Sequence, residues 1–360
     1  MPGADARPAV PSRRWAVRGR LSSIDVQVLT SEQASGVVAG SAVTIGNYDG
    51  VHLGHRRLLA RLRAEADSLG VPSAVVTFDR HPATVVRPES APLLLTDTEQ
   101  KLELLASCGV DLTVVVHFDA GRADESAEDF VDEVLLRTLG AKVIVVGEDF
   151  HFGHGRKGDV ALLRTLGAIW GFSVVGVALA VVGGREPDAP GGTRGGEREG
   201  GVTAVSSTRI RALVAAGDVA AAARLLARPH EVRGEVVHGS GRGGSQLGMP
   251  TANVAVEEGI ALPALGIYAG WCRRSDGSQH PAAISVGIRP TFPEPHRAAP
   301  APLVEAHLIG FDGELYGERV GVAFVERLRD ERRFDRTEDL VAQMWADVAE
   351  TRRVLDRSDV

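Results

Sequence analysis

The feature that most constrains the fold is a glycine- and histidine-rich turn between an apolar run and a helical pattern. The turn is Gly46-Asn-Tyr-Asp-Gly-Val-His-Leu-Gly-His55, and it follows the apolar run Ser41-Ala-Val-Thr-Ile45. After it, leucines recur at roughly helical spacing through residues 56–69. This pattern predicts a buried strand, a turn and an amphipathic helix in that order.

The residue types in this turn suit the binding of a triphosphate. Glycines such as Gly46 and Gly54 let backbone N–H groups approach a phosphate closely, and a helix N-terminus adds partial positive charge. His52 and His55 are three residues apart and can face the same anion, so they are the catalytic candidates here. Such a pair could instead hold zinc or merely cap the helix. Since no third zinc ligand stands nearby in the sequence, we do not expect zinc.

Apolar runs alternate with helical patterns from about residue 24 to residue 180. Buried continuous strands with helices between them predict a parallel, Rossmann-like sheet, whose ligands bind beyond the carboxyl ends of the strands. Two polar loops fall there, Asp79-Arg-His-Pro82 and Gly147-Glu-Asp-Phe-His-Phe-Gly153. The later predicted strands are 73–78, 112–118, 141–146 and 173–178, and the predicted helices between them are 97–108 and 126–139.

The turn and both loops resemble motifs of the bacterial flavin adenylyltransferases. Residues 46–55 match Gly-x-Phe-Asp-Gly-x-His-x-Gly-His, with Tyr48 in place of the phenylalanine, and the inner His-Leu-Gly-His is shared with the wider nucleotidyltransferase superfamily. Residues 78–82 match Phe-Asp-Pro-His-Pro with Arg80 in place of the first proline, and residues 146–153 match Val-Gly-x-(Asp or Asn)-Phe-x-(Phe or Tyr)-Gly.

This resemblance implies two sets of binding residues, while the loop histidines His151 and His154 are expected to be solvated. The implied nucleotide contacts in the turn are Gly46, Asn47, Asp49 and Gly54, and the implied flavin contacts are Asp79, His81, Pro82, Asp149 and Phe150.

A second anion site is predicted at the start of a later helix. Ser206 and Ser207 can cap this helix, and Arg209 and Arg211 fall in its first turn. An ordinary N-cap would account for the serines alone. The string Val205-Ser-Ser-Thr-Arg-Ile-Arg211 resembles Ile-Ser-Ser-Thr-x-Ile-Arg, which closes the adenylyltransferase site over ATP phosphates. The resemblance implies nucleotide contacts by Ser206, Ser207, Thr208 and Arg209.

Beyond Pro229 the pattern changes to short alternating runs separated by turn residues. Five or six short strands at this spacing predict a small closed barrel. One amphipathic helix, predicted over residues 337–355, ends the chain. The predicted strands are 231–238, 266–272, 282–287, 304–309 and 319–325.

A glycine-rich stretch in this half, Gly239-Ser-Gly-Arg-Gly-Gly244, fits the dinucleotide-binding pattern Gly-x-Gly-x-x-Gly. That pattern needs a helix directly after it, and Pro250 prevents one of useful length. We therefore do not expect NAD here, although a glycine-rich loop can wrap phosphates without a helix.

Residues 243–253, which end in Pro-Thr-Ala-Asn, resemble the riboflavin kinase motif, and the shape Gly-x-Gly-Arg-Gly-Gly of residues 239–244 is the variant associated with actinobacterial enzymes. Pro293 departs from the family, which usually has glycine there, and residues 294–302 are expected to be loose. The resemblance implies Glu305 as catalytic base and Thr251 and Asn253 as ligands of Mg²⁺. The implied nucleotide contacts are Gly239, Gly241, Gly243, Gly248, Thr251 and Asn253, and the implied flavin contacts are Arg289, Thr291 and Arg329.

Composition narrows the class of protein. Only Cys108 and Cys272 are present, far apart, which indicates a reducing cytoplasm rather than a disulfide framework. The formal net charge of -7 gives no reason to expect nucleic acid, and no apolar run is long enough to span a membrane. We expect small-molecule partners and a monomer or a weak homo-oligomer.

Taken together, the ordered motifs predict an α/β chain of two domains. A disordered tail or an early start codon accounts for residues 1–22, with a transit peptide as the alternative. A Rossmann-like, parallel-sheet nucleotidyltransferase domain follows over residues 23–227, with a flexible loop at 183–201. Residues 228–360 form a small Greek-key β-barrel of the riboflavin kinase type with a C-terminal helix.

The resemblance implies a bifunctional enzyme of flavin cofactor synthesis. One domain would phosphorylate riboflavin to FMN, the other would adenylylate FMN to FAD with release of pyrophosphate, and ATP would be the co-substrate of both. Two alternatives stay open at this point. The barrel could be a degenerate flavin-binding module, or the first domain could adenylylate another substrate, such as pantetheine or nicotinate ribotide.

Overall fold

The first half of the chain forms the parallel sheet that the alternating pattern predicts. The computed structural model describes residues 27–30, 40–178, 180–182, 203–238, 249–288 and 302–357. The strands of the sheet are β1 (Gln27–Thr30), β2 (Ser41–Ile45), β3 (Ser73–Phe78), β4 (Leu112–Val116), β5 (Ala141–Gly147) and β6 (Ser173–Val177). Their order is β1-β4-β3-β2-β5-β6, and all neighbours run parallel.

Helices flank this sheet and lead into the second half of the chain. They are α1 (Leu53–Leu69), α2 (Ala83–Val86), α3 (Thr98–Ser107), α4 (Ala120–Asp124), α5 (Ala127–Phe130), α6 (Val160–Trp170), α7 (Ser207–Ala215) and α8 (Val219–Leu226). None of the helices in the described ranges is long and apolar enough to cross a membrane.

The central position of β2 explains why its sequence is a continuous apolar run. All five of its residues are buried, because β3 and β5 cover its edges and helices cover its faces. Leu59, Leu62 and Ala66 of α1 pack against the sheet. The glycine- and histidine-rich turn thus emerges from the middle of the sheet, at the carboxyl ends of the strands, where ligands of such folds bind.

Two helical predictions differ from the structure in detail. The predicted helix over residues 126–139 is α5 followed by a π-helical segment, Val131–Thr138, so its last two turns are wider than α-helical ones. Helix α1 begins at Leu53, before the leucine pattern starts, because the His52 side chain caps it. The predicted tail, residues 1–22, and the predicted loop, residues 183–201, lie outside the described residues.

The second half forms a closed antiparallel barrel with a terminal helix, α9 (Thr337–Arg357). The barrel strands are β9 (His230–Val237), β10 (Ala252–Val256), β11 (Gly266–Arg273), β12 (Gln279–Ile288), β13 (Pro302–Leu308) and β14 (Arg319–Arg329). Their order around the barrel is β10-β13-β12-β11-β14-β9. A two-stranded ribbon, β7 (Val181–Val182) with β8 (Thr203–Ala204), precedes α7.

Alternation along the barrel strands separates a core from an outer face. Val254, Ala306 and Ile284 are buried in the barrel core. Their chain neighbours Asn253 and Glu305, together with Ser285, therefore point to the outer side of the wall. Helix α9 packs against β11, β12 and β14, so it covers part of this outer face.

Helix α3 is tied to the barrel by charged and polar contacts. Arg233 Nη2 donates to Glu103 Oε2 at 2.6 Å, and Arg233 Nε donates to Glu231 Oε1 at 2.8 Å. Gln100 Nε2 donates to the Glu231 carbonyl at 3.2 Å. Arg233 is 10% exposed, so the Glu103 pair is shielded from water and couples the two halves of the molecule.

The opposite side of α3 supports the loop after β3. Lys101 Nζ donates to the Phe78 carbonyl at 2.7 Å, and Thr98 Oγ1 donates to the Asp79 carbonyl at 3.3 Å. Burial lowers the pKa of the Lys101 ammonium to about 8. Helix α3 therefore links the barrel to a loop at the carboxyl edge of the sheet.

Replacing Arg233 with alanine is expected to lower the free energy of unfolding by about 3 kcal/mol, because it strips a largely buried ion pair of one partner. Denaturant unfolding of the full chain measures this. The matched control is Arg61→Ala, which removes an exposed pair with Glu65 on α1. The control should change stability by less than about 1 kcal/mol. Equal effects of the two variants would contradict the assigned role of Arg233.

Candidate functional site

Two cavities hold most of the described site candidates, one at the sheet and one on the barrel. The first, of about 420 Å³, opens at the carboxyl ends of β2 and β5. Its wall includes Gly46, Asn47, His52, Gly54, His55, Asp149, Phe150, Ser206 and Ser207. These residues come from three separate stretches of sequence, and two of the stretches follow strand ends of the sheet, as the strand-end argument predicts.

The two histidines of the turn form a stacked pair. Their ring centroids are 3.6 Å apart with an interplanar angle of 14°, and Tyr48 lies edge-on to His55 at 5.0 Å. His52 is the N-cap of α1, where its Nδ1 accepts from the His55 N–H at 3.3 Å. Within the described part of the chain, Nδ1 of His55 is buried without a hydrogen-bond partner. A buried polar atom of this kind at a cavity wall favours a ligand that supplies the missing bond.

Burial keeps both imidazoles neutral in the protein alone. Desolvation lowers the pKa of His52 to about 4, although the nearby Asp49 carboxylate opposes part of this shift. Desolvation and the neighbouring His52 together lower the pKa of His55 well below its ordinary value. At neutral pH each ring therefore offers one N–H donor and one acceptor.

Asp49 belongs to the same turn but is not among the residues that line this cavity. Its carboxylate accepts from the backbone N–H groups of Leu95 and Thr96 at 2.9 and 3.1 Å, and from Arg211 Nη2 at 2.6 Å. The Asp49 side chain is 4% exposed. In addition, Ser207 Oγ donates to the Asp49 carbonyl at 2.9 Å. Asp49 thereby holds the histidine turn against the start of α7.

The start of α7 supplies two of the predicted hydroxyls. Ser206 is the N-cap and accepts from the Arg209 N–H at 3.2 Å, while Ser207 lies in the first turn. Thr208 and Arg209 lie in the same turn but are not among the residues that line the cavity. Arg211, expected in an anion site, instead pairs with Asp49 and donates to the Leu93 carbonyl at 2.6 Å.

The loop after β3 lies apart from the lining of the first cavity. There the Asp79 carboxylate binds the His117 ring at 2.7 Å and accepts from the Phe118 N–H at 3.0 Å. His81 accepts from the Ala83 N–H at 3.1 Å, and Pro82 precedes α2. Like Asp79, neither of these two residues is part of the wall.

Sequence reasoning missed one cation at the cavity wall. Arg156 lines the cavity, and its φ of 58° is in the left-handed region that few non-glycine residues adopt. His151, expected to be solvated, is exposed at the cavity, with its Nδ1 at 2.8 Å from the Asp149 carbonyl. Arg156 is outside every recognised motif, and the sequence alone does not indicate the positive φ of a non-glycine residue. No sequence signal therefore pointed to it.

The second cavity, of about 290 Å³, lies between the barrel wall and the segment that ends in α9. Thr251, Ser285, Glu305 and His307 line it from the barrel, and Arg329 lines it from the end of β14. The C-terminal segment adds Glu331, Arg332, Phe334, Leu340, Met344 and Asp347.

Strand register brings the predicted kinase residues together. Asn253 of β10 is directly opposite Glu305 of β13, and Glu305 is directly opposite Ser285 of β12. Directly opposed side chains share a face of the sheet, so amide, carboxylate and hydroxyl form one row. Asn253 is buried, and Thr251 precedes it by two residues at the cavity.

Six residues predicted to contact ligands, and one residue that departs from the family motif, cannot be placed in either cavity. Gly239, Gly241, Gly243, Gly248, Arg289, Thr291 and Pro293 all lie outside the described residues.

Comparison with known proteins matches the two halves of the chain to two different family models. Residues 35–186 match the family model described as FAD synthetase, and residues 226–355 match the model described as riboflavin kinase. A bifunctional riboflavin kinase/FMN adenylyltransferase of Pseudomonas fluorescens is 38% identical over 313 residues, which cover 87% of this chain and 92% of that protein. This chain belongs to the bifunctional riboflavin kinase/FMN adenylyltransferase family.

A second relative supports the same assignment, and a solved structure supports the fold. The protein of that description from Escherichia coli K12 is 35% identical over 308 residues, covering 86% of this chain and 90% of its own length. A crystal structure described as a macrolide-efflux protein from Streptococcus pneumoniae superposes with a TM-score of 0.75 and 28% identity, covering 92% of this chain and 99% of that one. Because both domain types are present in one chain, a degenerate barrel is not favoured.

Lowering the pH from about 7 to about 4 is expected to destabilise the protein, because the first cavity contains a buried, neutral histidine. The folded protein keeps His52 neutral to about pH 4, whereas the ordinary pKa of histidine is 6.5. Between these values the unfolded chain binds the extra proton, so the free energy of unfolding falls as the pH falls, by up to about 1.4 kcal/mol per pH unit.

Denaturant unfolding across that range should show a smaller pH slope for His52→Gln than for the unmodified chain. The exposed His151, replaced in the same way, is the matched control and should leave the slope unchanged. An identical slope in all three proteins would contradict the burial assigned to His52.

Proposed function

We propose that this chain makes FMN and then FAD, one reaction in each cavity. At the barrel cavity the γ-phosphate of ATP passes to the 5′-hydroxyl of riboflavin. At the sheet cavity the FMN phosphate attacks the α-phosphate of a second ATP, which forms FAD and releases pyrophosphate. The observation that carries the second assignment is the stacked His52–His55 pair, which shares one cavity wall with Ser206 and Ser207. Among the described residues, none bonds the buried Nδ1 of His55.

The adenylyl-transfer site suits a reaction that needs no base. The phosphate of FMN is already an anionic nucleophile, so the protein has only to align it and to stabilise the charge that builds up on ATP. Imidazole N–H groups, serine hydroxyls and the backbone of Gly46, Asn47 and Gly54 are such donors. Thr208 and Arg209 belong to the same proposed nucleotide site, at the first turn of α7.

Flavin binding at the sheet is proposed for Asp149 and Phe150, which lie on the cavity wall. The Phe150 ring stacks on Phe152 with centroids 5.3 Å apart, so an aromatic surface is already in place beside the cavity. Asp79, His81 and Pro82 are proposed to approach the flavin from the loop after β3. The contacts through Lys101 and Thr98 set the position of that loop.

The kinase reaction differs because riboflavin offers a neutral alcohol. An alcohol is a weak nucleophile, and a carboxylate within reach of its proton acts as a general base. Glu305 is the candidate, because it lines the barrel cavity and lies between Asn253 and Ser285 in the strand register. Gly239, Gly241, Gly243 and Gly248 are proposed to wrap the phosphates, and Arg289, Thr291 and Arg329 to form the flavin side.

Magnesium is proposed as the cofactor of the barrel site. Thr251 and Asn253 would hold the ion, since hydroxyl and amide oxygens are the hard ligands that Mg²⁺ accepts, and Glu305 lies opposite Asn253. When bound, the ion neutralises charge on the ATP phosphates. In the reaction itself, Asn253 and Thr251 orient the phosphates while Glu305 takes the proton of the hydroxyl.

The remaining assignments are broader proposals. The domain limits are 23–227 for adenylyl transfer and 228–360 for the kinase. We propose a cytoplasmic enzyme with small-molecule partners, without nucleic acid, that is a monomer or a weak homo-oligomer. The two free cysteines fit a reducing compartment.

Replacing both His52 and His55 with alanine is expected to abolish FAD formation from FMN and to spare FMN formation from riboflavin. The reason is that the imidazoles lie at the sheet cavity, whereas the kinase residues lie on the barrel. Chromatography of the flavins after incubation with ATP and Mg²⁺ measures both activities in one sample. Loss of both activities in a folded double variant would count against separate sites.

Replacing Glu305 with alanine is expected to slow FMN formation by about two to four decades, the usual contribution of a general base. The initial rate with riboflavin, ATP and Mg²⁺ measures this, and FAD formation from added FMN should be unchanged. Glu235→Ala is the matched control, since Glu235 is an exposed glutamate on β9 of the same barrel. An unchanged kinase rate would remove Glu305 from the mechanism.

A further inference from the structure

A bidentate ion pair joins the last barrel strand to the C-terminal helix at the edge of the second cavity. Arg329 Nε donates to Asp347 Oδ1 at 2.9 Å, and Arg329 Nη2 donates to Asp347 Oδ2 at 2.6 Å. The two side chains are 14% and 9% exposed, so water screens the pair little. Gln343 Nε2 also donates to Asp347 Oδ1, at 3.0 Å. This geometry fixes both distance and angle between strand and helix.

The remaining nitrogen of Arg329 is engaged as well. Nη1 donates to the Asp330 carbonyl at 2.9 Å, so each guanidinium nitrogen already donates to a group of the protein. An arginine oriented in this way has its charge matched by a carboxylate before any ligand arrives. Three of the five N–H groups are thus used within the protein, so direct contact with a flavin, the role that the family resemblance implied, is left to the second N–H of Nη1 and of Nη2.

The partner of Arg329 lies on the face of α9 that forms the cavity wall. Leu340, Met344 and Asp347 all line the cavity, at spacings of four and three residues along one side of the helix. Across the cavity lie the barrel residues Glu305 and Ser285. The cavity thus offers an apolar surface, from Leu340 and Met344 on the helix with Ile267 and Ala283 on the barrel, and a polar surface that includes Glu305 and Ser285. A flavin has the same two parts, an apolar ring system and a chain of hydroxyls.

We propose that the Arg329–Asp347 pair is a positioning device that holds the apolar face of α9 at the distance from the barrel that riboflavin needs. This inference rests on the kinase site proposed above. Leu340 and Met344 contact the ring system, and the ion pair sets where those side chains stand. Asp347 acts through the helix, so its loss weakens riboflavin binding while the chemistry at Glu305 proceeds once riboflavin is bound.

Asp347→Asn tests this, because it keeps the shape of the side chain and removes the charge. Its riboflavin dissociation constant, measured by quenching of flavin fluorescence without ATP, is expected to rise about tenfold or more, since small displacements of a binding wall are costly. The KM for riboflavin should rise in parallel with the dissociation constant, while kcat should stay within about threefold of its value in the unmodified chain. Arg329→Lys, which keeps the charge but not the fork, should show a smaller effect of the same kind.

Controls separate this role from plain stability and from the kinase assignment. Glu350→Gln removes an exposed pair with Arg353 on the same helix and should leave riboflavin binding unchanged. If Asp347→Asn folds poorly, Gln343→Ala is the variant to measure. It removes only the supporting bond and should give a small rise in the dissociation constant for riboflavin. A lower melting temperature with unchanged riboflavin binding in folded Asp347→Asn would overturn the proposal. Wild-type kinase activity in Glu305→Ala would instead overturn the site itself.

Discussion

The carboxylate of Asp49 is the contact on which the first cavity depends. It accepts hydrogen bonds from the backbone of residues 95 and 96 and forms an ion pair with Arg211 on α7, while its own carbonyl accepts from Ser207. Three stretches that are far apart in sequence therefore meet at one side chain. A carboxylate buried this deeply is stable only because every oxygen is bonded. Because Asp49 belongs to the histidine turn, these bonds also fix the position of that turn.

The barrel site is built by strand register instead of by one buried charge. Asn253, Glu305 and Ser285 are neighbours across β10, β13 and β12, and alternation along each strand turns them to the outer face. The closed barrel determines their spacing, and α9 supplies the opposite wall. The two cavities thus rest on different supports, while α3 joins their scaffolds through Arg233 and Glu103. Because of this separation, we expect that each reaction can be removed without the other.

Much of the fold could be predicted from the chain. The strand β3 has the bounds that its apolar run predicts, and the parallel sheet, the barrel and the terminal helix follow from changes in periodicity. The site was predictable where a motif places residues on one turn, as with His52 and His55. The long-range ion pairs could not be predicted, because no local sequence pattern shows that Arg211 bonds Asp49 or that Arg329 bonds Asp347. In both cases the motif suggested a ligand contact, and the structure shows an arginine held by a carboxylate.

The most direct test of the central claim is the rate of FAD formation from FMN in Asp49→Asn, measured beside FMN formation in the same protein. The account predicts that FAD formation falls by about a hundredfold, since Arg211 loses its partner and the histidine turn its anchor, and that FMN formation is unchanged. Asp132→Asn, which alters an exposed pair with Arg137, should leave both rates as they are. Wild-type FAD formation in folded Asp49→Asn would contradict the account.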